Sequence, residues 1–259
     1  MKKQKKLGLV QSRGLGDIVI ALPIARAYHN EGYLVHWPIC EEFLPSVKDH
    51  APWVKWIPVP TDDQGQYFYN EPMARLHNFE CDEIICLYQS LTGHQELAAR
   101  PEFQITKFDE LKYRAAGVPF LDKWKLAECI TRDHDREQGL KDKVVTDPTT
   151  PYVVAHLTGS DHRAEMDPAW IPEGWNLIEI KDQSNSIWDW LAVLEGAEAI
   201  ICVDSVFANI VDQLGINRKV DSYFIPRSHI HLTPVLGGPW TTLDPADQVK
   251  KRIKVFHSD

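Results

Sequence analysis

Leu7-Gly8-Leu9-Val10, followed by Gly14-Leu15-Gly16-Asp17, decides how this chain folds. The apolar run predicts a short buried strand, and residues 18–27 predict a helix because their apolar positions recur near helical spacing. A glycine-containing turn between strand and helix marks a binding edge. The two glycines let the chain turn sharply and let a ligand approach the main chain, and the N–H groups of a helix start favour an anionic or hydroxyl-rich ligand. Asp17 has two readings here. It is either the helix N-cap, accepting hydrogen bonds from the next turn's amides, or a general base placed at a cleft edge to take a proton from an attacking hydroxyl.

Working outward, residues 32–38 read as a second strand after a glycine stop, and 56–59 and 83–87 as further short apolar strands of a parallel sheet. This is a Rossmann-like first half. Residues 61–69 are polar and aromatic, and 88–104 have no clear period, as expected of long loops that shape a cleft. Residues 108–116 and 123–128 carry helical periodicity. The densely charged stretch 132–147 ends in Pro148-Thr149-Thr150-Pro151, which places the linker there and gives domains 1–147 and 148–259. The second half starts afresh with a strand at 152–156, then strands at 177–180, 199–203 and 219–225 and helices at 186–194 and 208–214. The expected fold class is α/β, with two Rossmann-like domains facing across a cleft where a ligand is shared.

At 259 residues the chain has room for two such domains, and its 25% charged and 44% hydrophobic residues argue against disorder. The formal charge of -9 excludes a surface that is basic throughout, while leaving room for local patches. Lys2, Lys3, Lys5 and Lys6 crowd the start and Lys250, Lys251, Arg252 and Lys254 the end, either as solvated termini or as parts of one patch. The five cysteines, at 40, 81, 86, 129 and 202, are odd in number and lie mostly in apolar surroundings. They read as free thiols of a reducing compartment. Cys81 and Cys86 lack the spacing of a zinc pair, so no structural metal is expected. Arg13 and Asp17 interrupt any signal-peptide core and no 18-residue apolar run occurs, so a cytoplasmic location without a membrane span is expected.

Asp204-Ser205 follows the predicted strand 199–203 directly and opens a helix, the position where open α/β sheets bind ligands. Thr158, Ser160 and Arg163 fall at the equivalent edge of the strand that ends in His156. Hydroxyls beside an arginine suit a diphosphate, through charge-assisted hydrogen bonds. Each residue also has a plainer reading: Asp204 and Ser205 as helix caps, Arg163 as a surface charge, His156 as a satisfied strand-end histidine.

Together these segments resemble the heptosyltransferase-like glycosyltransferases of family 9, which have the GT-B fold. Ser12-Arg13-Gly14-Leu15-Gly16-Asp17, followed by Ile18, Ala21, Leu22 and Pro23, is similar to the family's opening strand and S-x-G-D-like loop. His156-Leu157-Thr158 with Arg163 resembles its His-x-Thr turn and following basic residue, with arginine for the usual lysine. Asp204-Ser205 matches its Asp-Thr/Ser-Gly motif, but Val206 replaces the glycine and Asn209 a histidine a few residues on.

The resemblance implies that Asp17 is the catalytic base, with Arg13, Gly14 and Gly16 on the acceptor side. It implies that His156, Thr158, Ser160, Arg163, Asp204, Ser205 and Asn209 hold the donor. The implied co-substrate is a nucleotide-diphosphate sugar, with no other cofactor and no metal, and transfer to an acceptor hydroxyl proceeds with inversion. The acceptor is a glycan or a hydroxymethylated base in DNA, as in bacteriophage enzymes of this kind. For DNA, aromatic residues between 67 and 94 would stack on an extruded base. A C-terminal helix crossing back onto the first domain would join residues 250–254 to the basic start. The alternative is a non-catalytic nucleotide-binding module, motivated by Val206 and Asn209. A Rossmann dehydrogenase is set aside, because Gly14-Leu15-Gly16 has no third glycine at the required spacing and Val35-His36-Trp37 offers no acid for a ribose.

Overall fold

Strand β1 (Lys6–Val10) buries Leu7, Gly8, Leu9 and Val10 in succession, the pattern of a parallel strand covered on both faces. A computed structural model describes residues 4–61, 65–88, 107–159, 163–166, 171–181, 184, 186–226 and 233–243. From β1 the chain enters helix α1 (Leu15–Asn30), in which every residue from Ile18 to Ala25 is buried, including Pro23. A helix apolar on all sides belongs inside the domain.

Strand β2 (Leu34–Cys40), the short helix α2 (Leu44–Val47), strand β3 (Lys55–Val59), helix α3 (Asn70–Asn78), strand β4 (Glu83–Cys86) and helix α4 (Phe108–Ala115) complete the first half. A 3-10 segment, Phe120–Glu128, follows where helical periodicity is predicted. The sheet is wholly parallel, ordered β3-β2-β1-β4. Gly8 sits in the middle of β1 for a packing reason: a Cβ there would lie 2.9 Å from Cδ1 of Leu76 on α3. Glycine lets the helix settle onto the strand.

In the second half, helix α5 (His134–Val144) precedes strands β5 (Tyr152–His156) and β6 (Asn176–Glu179). A 3-10 turn, Ile187–Trp190, runs into helix α6 (Leu191–Glu195), followed by strand β7 (Ala199–Val203), helix α7 (Val206–Gln213), strand β8 (Asp221–Ile225) and the two-residue strand β9 (Thr241–Thr242). This sheet is also parallel, ordered β6-β5-β7-β8-β9. Val153, Ala155, Ile201, Val203 and Ile225 form part of its core, with Trp175 packed against it.

The two α/β units comprise Met1–Thr131 and Arg132–Asp259. The division falls upstream of the expected boundary at 147/148, and the reason is electrostatic. The charged stretch is a helix bound to the second unit. Arg132 forks onto Glu137 and onto Glu195, 2.6 Å from its Oε1, and Arg136 donates to Asp189 at 2.9 Å. Residues 250–254, proposed as a returning helix, lie outside the described residues. No helix among the described residues is long and apolar enough to cross a membrane. All five cysteines are free thiols, with Cys40, Cys129 and Cys202 buried.

Candidate functional site

A parallel α/β sheet offers its ligand crevice where the strand order reverses, beyond the carboxyl ends of the strands on either side. In the first unit the chain runs outward through β1, β2 and β3 and returns to β4 on the other flank, so the reversal lies between β1 and β4. Residues just past these two strands meet there. The Arg13 N–H donates to the Tyr88 hydroxyl at 2.9 Å, and Ser12 exchanges a 3.2 Å hydrogen bond with the same hydroxyl while donating to the Tyr67 carbonyl. The Arg13 guanidinium donates to the Tyr67 hydroxyl and lies 5.2 Å from the centre of its ring. Burial pushes the Tyr88 hydroxyl up to about 12, so it stays a neutral donor and acceptor.

Gly14, not Asp17, occupies the N-cap of α1, with φ at +83°, and no side chain caps this helix start. Asp17 is the third helical residue and turns its carboxylate back over the glycine. A Cβ on Gly14 would lie 2.5 Å from Asp17 Oδ2. The other oxygen, Oδ1, pairs at 3.1 Å with Lys112 Nζ, and the Asp17 side chain keeps 36% of its surface exposed. Of the two readings of Asp17, the N-cap is therefore filled by another residue, and the carboxylate stands at the switch point with Arg13, Gly14 and Gly16 around the turn.

Lys112, Tyr67 and Tyr88 complete this edge, and of these Lys112 escaped the sequence reading altogether. Its signal was present: Phe108, Leu111, Lys112, Ala115 and Ala116 share one face of α4, so the lysine falls on the apolar stripe. It is 4% exposed.

The second unit repeats the arrangement. Its order reverses between β5 and β7, where His156 ends one strand and Asp204-Ser205 follow the other. The His156 Nδ1 lies 2.8 Å from the Ser205 Oγ. Ser205 stands at the N-cap of α7, yet its hydroxyl is committed to this histidine and no side chain caps the helix. The His156 ring packs on Phe207, 4.7 Å between centres, and burial lowers it to about 4, so it is neutral at physiological pH.

Thr158 and Arg163 are brought together by an antiparallel bridge between their backbones, closed by the Ala164 N–H donating to the Leu157 carbonyl at 2.8 Å. Both are exposed, and with His156, Glu179, Lys181, Ser184, Trp190 and Phe207 they line a cleft of about 380 Å³. Lys181 pairs with Glu179 at 3.0 Å on its rim. Its volume is within the range of small-molecule pockets, and its lining is more polar than apolar. Asp204 and Asn209 are each 3% exposed and are not among its lining residues; the Asn209 amide donates to the Ser205 carbonyl at 3.1 Å. Ser160 lies outside the described residues. Among the described residues, no three His, Cys, Asp or Glu side chains are grouped to hold a metal.

No family model and no curated protein matches this chain by sequence. Its structure matches that of a family 9 glycosyl transferase from Veillonella parvula DSM 2008, with a TM-score of 0.61 at 12% identity, covering 99% of this chain and 95% of that one. The fold is that of the GT-B glycosyltransferases. The GT-B likeness extends to the ADP-heptose LPS heptosyltransferase II of E. coli, with a TM-score of 0.57 at 11% identity, covering 97% of this chain and 96% of that one. It extends further to the iron-containing dodecameric glycosyltransferase TibC from enterotoxigenic E. coli H10407, with a TM-score of 0.52 at 12% identity, covering 94% of this chain and 63% of that one. The two switch-point turns described above thus belong to a GT-B fold.

Proposed function

We propose that this chain is a glycosyltransferase that moves a sugar from a nucleoside-diphosphate sugar onto an acceptor hydroxyl. The observation that carries the reading is the division of chemistry between the two switch points. One presents a carboxylate with an oxygen turned to a glycine turn. The other presents a cleft lined by a neutral imidazole, a hydroxyl and a guanidinium.

In this reading the donor's diphosphate sits against Thr158, Arg163 and the uncapped start of α7, while His156 donates or accepts a hydrogen bond without adding charge. Asp17 takes the proton of the acceptor hydroxyl as its oxygen attacks the anomeric carbon. The bond from that carbon to the phosphate oxygen breaks, and its electron pair leaves with the diphosphate, where Arg163 and the helix-start amides neutralise the new charge. Attack from the face opposite the leaving group inverts the anomeric centre. These steps run on the chain's own side chains and main-chain amides.

A glycan hydroxyl is the favoured acceptor. Lys5 and Lys6, the described part of the basic start, sit at the opposite end of β1 from the Asp17 turn. Lys6 is spent on the Phe79 carbonyl at 2.9 Å, and Lys5 lies 5.5 Å from the centre of the Tyr33 ring. A hydroxymethylated base in DNA is the second reading, supported by the exposed ring of Phe68, which packs on Tyr67 and Tyr88 and on which an extruded base could stack.

The test is thermal stabilisation of the protein by UDP, GDP, ADP and CMP and their common sugar conjugates. Release of nucleoside diphosphate from the stabilising conjugate by wild type and Asp17→Asn follows. A selective shift, with release lowered 10²-fold or more in Asp17→Asn, is expected. A stabilising nucleotide whose sugar conjugate is never turned over would instead mark a binding module.

A further inference from the structure

Lys112 is a buried charge that the proposed reaction leaves unused. Only 4% of its side chain is exposed, and its ammonium group has three partners: Gln11 Oε1 at 2.6 Å, the Leu87 carbonyl at 3.2 Å and Asp17 Oδ1 at 3.1 Å. The rings of Phe108 and Tyr88 lie 5.8 and 5.9 Å from it. An ammonium group has three hydrogens to donate, so these partners account for all of them.

The partners are also informative by position. Gln11 follows β1, Leu87 follows β4, and Asp17 is in the first turn of α1, so one side chain from α4 ties together three segments of the switch point. Burying an ammonium group beside a carboxylate that remains half in water is a poor route to stability. A methionine would fill the space between Phe108 and Tyr88 without desolvating a charge. The cation is explained by what it holds.

Its effect on Asp17 is to make the two carboxylate oxygens unequal. Oδ1 is fixed by the ammonium group, and Oδ2 is left lying over Gly14. We propose that Lys112 is a positioning residue: it clamps Asp17 Oδ1 so that Oδ2 alone is offered to the acceptor hydroxyl. This rests on the reading of Asp17 as the base.

The experiment pairs crystal structures of wild type, Lys112→Met and Lys112→Arg with release of nucleoside diphosphate from the sugar conjugate that stabilises the protein. In Lys112→Met the Asp17 carboxylate should leave its place over Gly14. The turnover number should fall on the order of 10²-fold, with the donor KM unchanged, as for misplacement of a reacting group. Lys112→Arg should restore both the placement and most of the rate. Asp17→Asn/Lys112→Met should be no slower than Asp17→Asn alone. A carboxylate that keeps its place in Lys112→Met, or a double variant slowed by the full Lys112→Met factor, overturns the proposal. Should Lys112→Met fail to fold, the same comparison is read on Lys112→Gln. If wild type turns over no sugar nucleotide, the glycosyl-transfer reading fails, and the placement of Asp17 in the two variants decides the role of Lys112 by itself.

Discussion

The Nδ1 of His156 lies 2.8 Å from the Oγ of Ser205, so the last residue of β5 is bonded to the helix cap that follows β7. The first unit has the counterpart at its own reversal of strand order, where the Arg13 N–H donates to Tyr88 beyond β4. At each reversal of strand order, polar contacts bridge the gap between diverging connections.

Burial of the His156 ring makes stability depend on pH. Burial lowers the His156 imidazole from 6.5 to about 4, so the folded protein binds its proton less readily than the unfolded chain does. The stabilisation is complete above about pH 6.5 and is lost as pH falls toward about 4, amounting to roughly 3 kcal/mol at most. Urea unfolding of the second unit at intervals over this window should show the decline, and His156→Asn should flatten it. An equal slope in both proteins would assign the pH dependence to other groups.

Arg163→Ala should weaken binding of the stabilising nucleoside diphosphate by about 1.5 to 3 kcal/mol, the value of a hydrogen bond to a charged group. Because the Arg163 side chain is exposed, the melting temperature without nucleotide should hardly move. Titration calorimetry separates the two effects.

Gly14→Ala should damage fold and chemistry at once. The position has φ at +83°, a sparsely populated backbone region that costs an alanine on the order of 1 to 3 kcal/mol, and the new Cβ would collide with Asp17 Oδ2. The expected outcome is a lower Tm together with loss of nucleoside-diphosphate release, while nucleotide binding at the other unit persists.

Arg132→Ala should destabilise the second unit by about 3 kcal/mol, the low end for a broken buried pair because Arg132 is 26% exposed. Glu137, 1% exposed, is left without its guanidinium, and α5 loses its tie to Glu195. Denaturant unfolding measures the loss, and Arg132→Lys should recover only part of it, since an ammonium group lacks the planar fork with which the guanidinium meets Glu137 and Glu195 together.

The strands were legible because parallel strands buried on both faces read as unbroken apolar runs, and β1, β5 and β7 lie within a residue of their expected limits. Helix α3 was not legible. It begins Asn70-Glu71-Pro72 and buries only Pro72 and Leu76, too little for a periodic signal. Helix α5 was hidden by its charges: Glu137 is buried against Arg132 and Arg136 reaches Asp189, while Asp135, Asp142 and Lys143 are exposed. At the site, the glycine turn and Asp17 were visible locally, but the carboxylate's partner lies 95 residues away on another helix, and no spacing rule joins them. Likewise, the four residues between Thr158 and Arg163 give no hint that the two form a bridge.

The missing side chain at Gly8 reaches further than its own strand. Leu76 rests where a Cβ would be, and α3 is led in by the 3-10 turn Gln66–Phe68, which carries Tyr67, the partner of both Ser12 and Arg13. Gly8 therefore acts as a shim of zero thickness under the Asp17 edge. Thickening it by one methyl would lift α3 and slacken the Tyr67 mooring, reshaping the mouth of the site from beneath while every residue that faces a ligand stayed unchanged.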